Sequence, residues 1–405
     1  MNAGLSTAQF YPGFAYDGVG DSIGGTQDNG SITRTSAAGV WTNTACGDGG
    51  FSAIDTTTSP YTFYTACTYN QGINMTTTPT NYLSWTAITT GINNTGPNAD
   101  PALFIPPMVK DPTLPSTLYY GTNQIYQTTN AGTLWASISP QPLPGSTGNI
   151  STISIAPGGT ATSGMAYAGT TDGQVVVGTN SGGTWTWTNV SSAGLPARYV
   201  THVAINPTNP ATAYATFSGF SGYNGDTQGH VFLTTNTGGT WTDISGNLPN
   251  IPVDDLVIDP LIANTLYAAT DIGVFATNNG GITWSTYGTG LPNVAVLGLT
   301  LEPNTRKLAA ATHGRSAWII DLAPASGAAT LTLSPAALTF APQLINTPST
   351  AQPVTLTVTG AVPLSISSIT VDDKAFAVSS TTCAMAPATN VPGASCCLLY
   401  TSRCV

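Results

Sequence analysis

Three aspartates stand in short Gly- and Thr-flanked segments: Asp28 in GGTQDNGS, Asp172 in TTDG and Asp271 in TDIG. Two carboxylates held about 5–10 Å apart, one of them keeping its proton, hydrolyse glycosidic bonds. Asp28, Asp172 and Asp271 are therefore the candidate catalytic residues. The same segments are also ordinary turn formers, because Asp binds nearby backbone N–H groups and Gly supplies positive φ. A second set is aromatic. The segment FSGFSGYNGDTQG (217–229) offers Phe217, Phe220, Tyr223 and Asp226, with Tyr199 upstream. Such residues suit stacking on sugars or gripping a peptide, and otherwise decorate a loop.

Other chemistries lack their residues. His202, His230 and His313 show no metal-ligand spacing, so no metal is expected. No P-loop, dinucleotide fingerprint or nucleophile motif is present, so no cofactor is expected. Eight Lys and Arg against 18 Asp and Glu, a net charge of −10, exclude the clustered cations that nucleic acid demands. A polybasic membrane contact fails for the same reason. Only 6% of residues are charged, against about 25% in an average domain, so hydroxyls and amides carry solubility. No apolar run is long enough to span a bilayer.

The elements that must position these residues announce themselves as a repeat. Four octapeptides align without gaps: TTNAGTLW (128–135), GTNSGGTW (178–185), TTNTGGTW (234–241) and TNNGGITW (277–284). Their tryptophans, Trp135, Trp185, Trp241 and Trp284, are 50, 56 and 43 residues apart, and Trp41 and Trp85 continue the series upstream. Each copy has four strand-like runs, shown best by VDDLVIDP, TLYAAT, GVFATN and ITWSTY. Four short strands in a period of roughly 40–50 residues predict the blade of a β-propeller. Six Trp-marked blades and a seventh with three strands at 295–322 make the fold all-β and seven-bladed, the last blade incomplete.

In such a blade the second-to-third turns and the links between blades share one face. That top face collects Asp28, Asp48, Asp100, Asp172, Asp226, Asp254, Asp255 and Asp271. Asp17, Asp55, Asp111, Asp259 and Glu302 end first strands and fall on the opposite face as turn formers.

The octapeptide resembles the Asp-box (BNR) repeat of sialidases, sortilin-type receptors, xyloglucanases and photosystem-assembly factors. Asn130, Asn180, Asn236 and Asn279 take the usual Asp place. The resemblance implies a structural turn between the third and fourth strands, with the Asn side chain capping it. TDIG also resembles a TDxGG segment near a catalytic Asp of xyloglucanases, although Val274 replaces the second Gly. A sialidase needs three converging arginines. Of Arg34, Arg198, Arg306 and Arg315, only Arg198 and Arg315 approach the top face.

The chain divides into a propeller (1–322), a linker (323–330), a truncated Ig-like β-sandwich (331–396) and a compositionally foreign, non-native tail (397–405). The cysteines group as Cys46 with Cys67, and Cys383 with Cys396, Cys397 and Cys404. Pairs Cys46–Cys67 and Cys383–Cys396 suit an oxidising compartment, free thiols being the alternative. The Ig-like resemblance implies the second pair. No signal peptide is visible in MNAGLSTAQF, and the chain reads as a fragment beginning just after a fourth strand. The expectation is a monomeric secreted or cell-surface module that binds a polysaccharide or protein ligand on its top face. The alternative is a glycoside hydrolase of xyloglucanase type.

Overall fold

The computed structural model describes residues 7–402, apart from 71, 192–193, 223–225, 324–330 and scattered positions after 342 (343, 345–346, 360–363, 372, 374, 386–388 and 392). Two compact units divide at Asp321/Leu322. The linker expected at 323–330 lies outside the described residues except for Ala323.

The first unit consists of antiparallel meanders. Sheet 1 holds β1 (Ala15–Tyr16), β2 (Ser22–Gly25), β3 (Ser31–Arg34) and β4 (Trp41–Ala45). Sheet 2 holds β5 (Gly49–Asp55), β6 (Thr62–Cys67), β7 (Ile73–Thr76) and β8 (Thr86–Ala87). Sheet 3 holds β9 (Met108–Lys110), β10 (Leu118–Gly121), β11 (Ile125–Thr128) and β12 (Ala136–Ser137). Sheet 4 holds β13 (Ile150–Ile155), β14 (Ser163–Thr170), β15 (Val175–Ser181) and β16 (Thr184–Asn189). Sheet 5 holds β17 (Val200–Ile205), β18 (Ala213–Phe217), β19 (Val231–Thr234) and β20 (Thr242–Asp243). Sheet 6 holds β21 (Val253–Ile258), β22 (Leu266–Thr270), β23 (Gly273–Thr277) and β24 (Ser285–Tyr287). Sheet 7 has three strands, β25 (Val296–Glu302), β26 (Lys307–Thr312) and β27 (Ala317–Asp321).

First strands touch in succession, β1 to β5, β9, β13, β17, β21 and β25, and β25 returns to β1. The sheets therefore stand around an axis. Burial follows from that arrangement. Second strands are packed on both faces and read as continuous apolar or small runs, LYYG, AYATF and LYAAT, all buried. The fourth strands β8, β12 and β20 lie at the rim and are exposed. No helix among the described residues is long and apolar enough to cross a membrane.

Three of the four octapeptides form one turn. The first-position hydroxyl of Thr128, Thr234 or Thr277 accepts the N–H of Gly132, Gly238 or Gly281. It also donates to the Oδ1 of Asn130, Asn236 or Asn279. The same Oδ1 accepts the N–H of Leu134, Thr240 or Thr283. Each tryptophan then crosses to the preceding sheet. The indole N–H groups of Trp135, Trp241 and Trp284 donate to the carbonyls of Ile88, Val190 and Ile244.

The second copy, GTNSGGTW, departs from this pattern, and the expected roles of Asn180 and Trp185 are corrected. Gly178 replaces the first Thr, and a Cβ there would meet the Trp187 ring at 2.7 Å. Without the hydroxyl no such turn closes. Instead Gly182 and Gly183, both at positive φ, make a two-residue hairpin with Ser181 opposite Thr184. Asn180 leaves its Oδ1 buried and unpartnered. Trp187, not Trp185, bonds the preceding sheet, at Ile138 O (2.7 Å), while Trp185 stacks on it. Asn130→Ala, Asn236→Ala and Asn279→Ala should each lower unfolding free energy by about 1–2 kcal/mol. Asn180→Ala should change it by less than about 0.5 kcal/mol. Denaturant midpoints for the four variants check this contrast.

The second unit contains β28 (Leu331–Ser334), β29 (Gln352–Val358), β30 (Leu364–Ser365), β31 (Phe376–Thr381), β32 (Thr389–Asn390) and β33 (Ser395–Ser402). One sheet runs β28-β29-β33-β31, and β30 pairs with β32. Cys383 and Cys396 are disulfide-bonded. The boundary expected before residue 397 cuts through β33, an interior strand. Leu398 is buried there with Val354 and Leu356, so the foreign composition still supplies an alternating strand.

Candidate functional site

The aspartates expected at the top face meet different fates. Asp172 is consumed by its own turn. It accepts hydrogen bonds from Ser146 Oγ, Thr147 N, Gly148 N and Thr170 Oγ1. These bonds outweigh burial and hold its carboxyl below the usual range. That is a structural carboxylate, which corrects its catalytic candidacy. Asp100 is likewise enclosed by Tyr126, Gln124, Thr122 and Asn93. Asp28 is exposed, at φ 60°, in the turn between β2 and β3, and its N–H donates to Asp48 (2.7 Å). Asp271 follows β22, exposed, with its carboxyl raised by burial. The three catalytic candidates thus sit on sheets 1, 4 and 6, and the structure does not gather them. It sets Asp254 under the charge of Asp271 instead.

Asp254 belongs to an axial cavity of about 450 Å³ lined by first strands of the seven sheets. It is the extra residue at a register shift between Val253 and Asp255. Burial, then the charges of Asp271 and Asp255, push its carboxyl up to about 7. Asp255 pairs with His202 Nδ1 at 2.7 Å and accepts the Leu299 N–H. Burial disfavours the His202 cation, but Asp255 outweighs it and the imidazole is raised. Glu302, at the end of β25, is pushed up to about 7 by burial and by Asp17. Among the described residues no His, Cys, Asp and Glu group is placed to hold a metal ion.

The aromatic loop is also rearranged relative to expectation. Phe217 is fully buried, edge-on to Phe232, which corrects its assignment as a ligand contact. It ends β18 in phase with Ala213 and Ala215, and that alternation was the available signal. Asp226 is taken by Arg198 at 2.7 Å, so it staples the loop and is no free acceptor. Arg198 also donates to the carbonyls of Ser218, Gln228 and Gly229. Tyr199 is half-buried, and burial pushes its hydroxyl up to about 12. Phe220 remains 54% exposed. Tyr223 lies outside the described residues.

A group that sequence reasoning missed comes together on the same face. Tyr69 follows β6, Phe104 lies in the link before β9, Tyr11 precedes β1 and His313 follows β26. Tyr69 and Phe104 rings meet edge-on at 4.8 Å, Tyr11 and Phe104 at 5.7 Å, and Tyr11 approaches His313 at 6.2 Å. Tyr69 is 62% exposed and Phe104 36%. Tyr69 is held in the left-handed region, φ 52°, a conformation that costs about 1 kcal/mol or more for such a side chain. Its N–H donates to Phe104 O, and the Cys46–Cys67 disulfide ties the end of β6 to sheet 1. Burial, then the charges of Asp48 and Asp28, raise the Tyr11 hydroxyl. The four residues come from separate segments spread from position 11 to position 313, so no spacing could betray them.

Successive small meanders around an axial cavity define a β-propeller. Solved structures agree on that fold. The GH74 xyloglucanase of Xanthomonas campestris superposes with TM-score 0.58 and 15% identity, over 78% of this chain and 52% of that one. The Niastella koreensis GH74 enzyme gives 0.55 and 19%, over 78% and 53%. YCF48 from Cyanidioschyzon merolae gives 0.54 and 12%, over 78% and 95%. The chain spans about half the length of the two GH74 enzymes. No family model and no curated protein matches it.

Proposed function

We propose that the chain is an exported, monomeric, seven-bladed Asp-box propeller with a partial Ig-like module, and that it binds a neutral polysaccharide on its top face. The observation that carries this reading is the exposed Tyr69–Phe104–Tyr11 platform, preorganised by a disulfide, with Tyr11 under the charges of Asp48 and Asp28. Aromatic faces pack on the C–H faces of sugar rings, and carboxylates accept sugar hydroxyls. The same carboxylates and the net charge of −10 repel anionic polymers. Affinity electrophoresis against neutral and anionic polysaccharides tests it. Tyr69→Ala and Phe104→Ala should each weaken binding about tenfold, near 1.4 kcal/mol. Absence of binding to any neutral glycan, or affinity indifferent to both variants, overturns the proposal.

The second reading is a glycoside hydrolase of the kind that two of the superposed structures are. It is favoured by Asp254, a carboxyl that keeps its proton near neutrality beside the more exposed Asp271. Release of new reducing ends from a bound glucan, abolished in Asp271→Asn, is the result that would support it over simple binding.

A further inference from the structure

The axial cavity follows the first strands and carries carboxyl groups at both ends. Adjacent first strands run the same way along the axis. Ser151 and Ser154 of β13 donate to Val200 O and Val203 O of β17, and Thr201 of β17 donates to Val253 O of β21. Asp254 and Asp255 therefore lie at the end where these strands begin, and Asp17 and Glu302 lie at the end where they finish. Ala53, Met108, Val109 and Leu299 supply an apolar wall to the same cavity.

The cations that line the cavity are already committed. Lys110 Nζ stands 3.6 Å from Asp55 and donates to Asp111 O, and His202 is paired with Asp255. Asp255 gives its other oxygen to the Leu299 N–H. Asp254, Asp17 and Glu302 are left over. Asp254 Oδ2 at one end and Asp17 Oδ2 at the other are buried with no hydrogen-bond partner among the described residues. Glu302 lines the cavity close enough to Asp17 to feel its charge. Burial and neighbouring carboxylates push both Asp254 and Glu302 up to about 7, the response of carboxyls without a counter-cation. The Asp255–Leu299 bond sets Asp254 level with Gly298. Glu302 then lies about 13 Å further along β25, at a strand rise of ~3.3 Å per residue. One metal ion cannot reach both ends, and the described residues offer no His, Cys, Asp and Glu group placed to hold one.

We propose that the axial cavity binds a linear alkyl diamine extended along the axis, with one ammonium on Asp254 and the other between Asp17 and Glu302. Each ammonium supplies the N–H donors that the two Oδ2 atoms lack, and the methylenes lie against the apolar wall. A charge-assisted contact of about 2.8 Å at each end leaves roughly 8 Å between the nitrogens, which about five or six methylenes span. A monoamine satisfies one end alone, and a neutral sugar neutralises neither. The site is therefore distinct from the aromatic platform, whose rings lie in loops of the top face.

The probes are diaminobutane, diaminopentane, diaminohexane and diaminooctane, with hexylamine and spermine for comparison. Isothermal titration of the full chain at pH 8 and low ionic strength should show one saturable site, with affinity highest for diaminopentane or diaminohexane. Hexylamine should bind at least about tenfold more weakly than diaminohexane. Asp254→Asn and Glu302→Gln should each weaken diaminohexane at least about tenfold, while thermal unfolding shows both variants folded. Asp373→Asn, an exposed change in the second unit, should leave the affinity as it is. The proposal is overturned by no saturation up to about 1 mM. Equal binding of hexylamine, or unchanged affinity in either cavity variant, overturns it as well. So does affinity that climbs steadily through diaminooctane to spermine and falls equally in Asp373→Asn, which would mark general attraction to an acidic surface.

Discussion

Asp254→Asn should stabilise the protein by about 2–4 kcal/mol at pH 8 and leave it unchanged near pH 4. The site explains the sign. Sheets 4 and 5 carry a hydroxyl at the position Asp254 holds in sheet 6, the residue after the first of the inner strand. Ser151 Oγ donates to Val200 O, and Thr201 Oγ1 donates to Val253 O, each in the following sheet. A carboxylate cannot donate, and Asp254 Oδ2 is buried without a partner. The folded state therefore holds the proton up to about 7, whereas the unfolded chain releases it near 3.8. Below the unfolded value both states are protonated and nothing is lost. Between the two values the folded state binds more protons, so stability falls as pH rises, and above about 7 the full penalty applies. Asparagine donates without a proton to hold. His202 adds to the trend. Its raised value gives stability that is complete below 6.5 and is lost as pH rises through the folded value. Asp55, Asp100 and Asp172 act in the opposite sense. Their hydrogen bonds outweigh burial, so their contribution is present above 3.8 and is lost as pH falls through the depressed values. Stability should peak between roughly pH 4 and 6.5. Urea unfolding at pH 4, 6 and 8 measures both expectations, and a destabilised Asp254→Asn at pH 8 would mean that the ionised carboxylate has a partner.

Arg198→Ala should lower stability by about 2–4 kcal/mol and open the 217–229 loop to proteolysis. The guanidinium is 12% exposed and Asp226 22%. Its removal strands a carboxylate and the carbonyls of Ser218, Gln228 and Gly229 together. His230 loses the contact at 3.1 Å that orients its ring toward Asn250, and Asn250 in turn holds Ser221 through both its N–H and its carbonyl. Lysine would not rescue the loop, since an ammonium cannot span a planar fan of acceptors. Limited proteolysis with mass mapping of the first cut checks the prediction. Cleavage elsewhere at unchanged rate would place the loop's stability in its own turns.

The meanders were legible because tryptophan recurs on a near-constant spacing and Gly, Asn and Pro punctuate the runs between. The first-strand aspartates were legible as turn formers for a local reason. Asp111 accepts the N–H groups of Thr113 and Leu114, and Asp259 those of Leu261 and Ile262. Sequence failed where partners are remote. Asp172 looks like a rim carboxylate until Ser146 and Thr147, more than twenty residues away, are seen to close on it. GTNSGGTW reads like its siblings, but one missing hydroxyl and the ring of Trp187 change its turn. The aromatic group needs three segments beside sheets 1, 2 and 7 and one inter-sheet link, and such convergence leaves no periodic trace.

The three-stranded seventh sheet has a consequence for how the ring comes apart. At the axis the first and seventh sheets are knit, by Thr300 Oγ1 donating to Phe14 O and by Phe10, Phe14, Ala309 and Ala311 packing together. At the rim no sheet of the described residues straddles the junction. A fully latched ring has no ends, and each unit is supported on two sides. The described sheets form a linear array bent until its first and last members touch, and among the described residues one outer joint has no fourth strand to support it. Opening should begin there and travel inward like a page lifting from its free corner, with amide exchange at 317–321 leading that of β14 and β22.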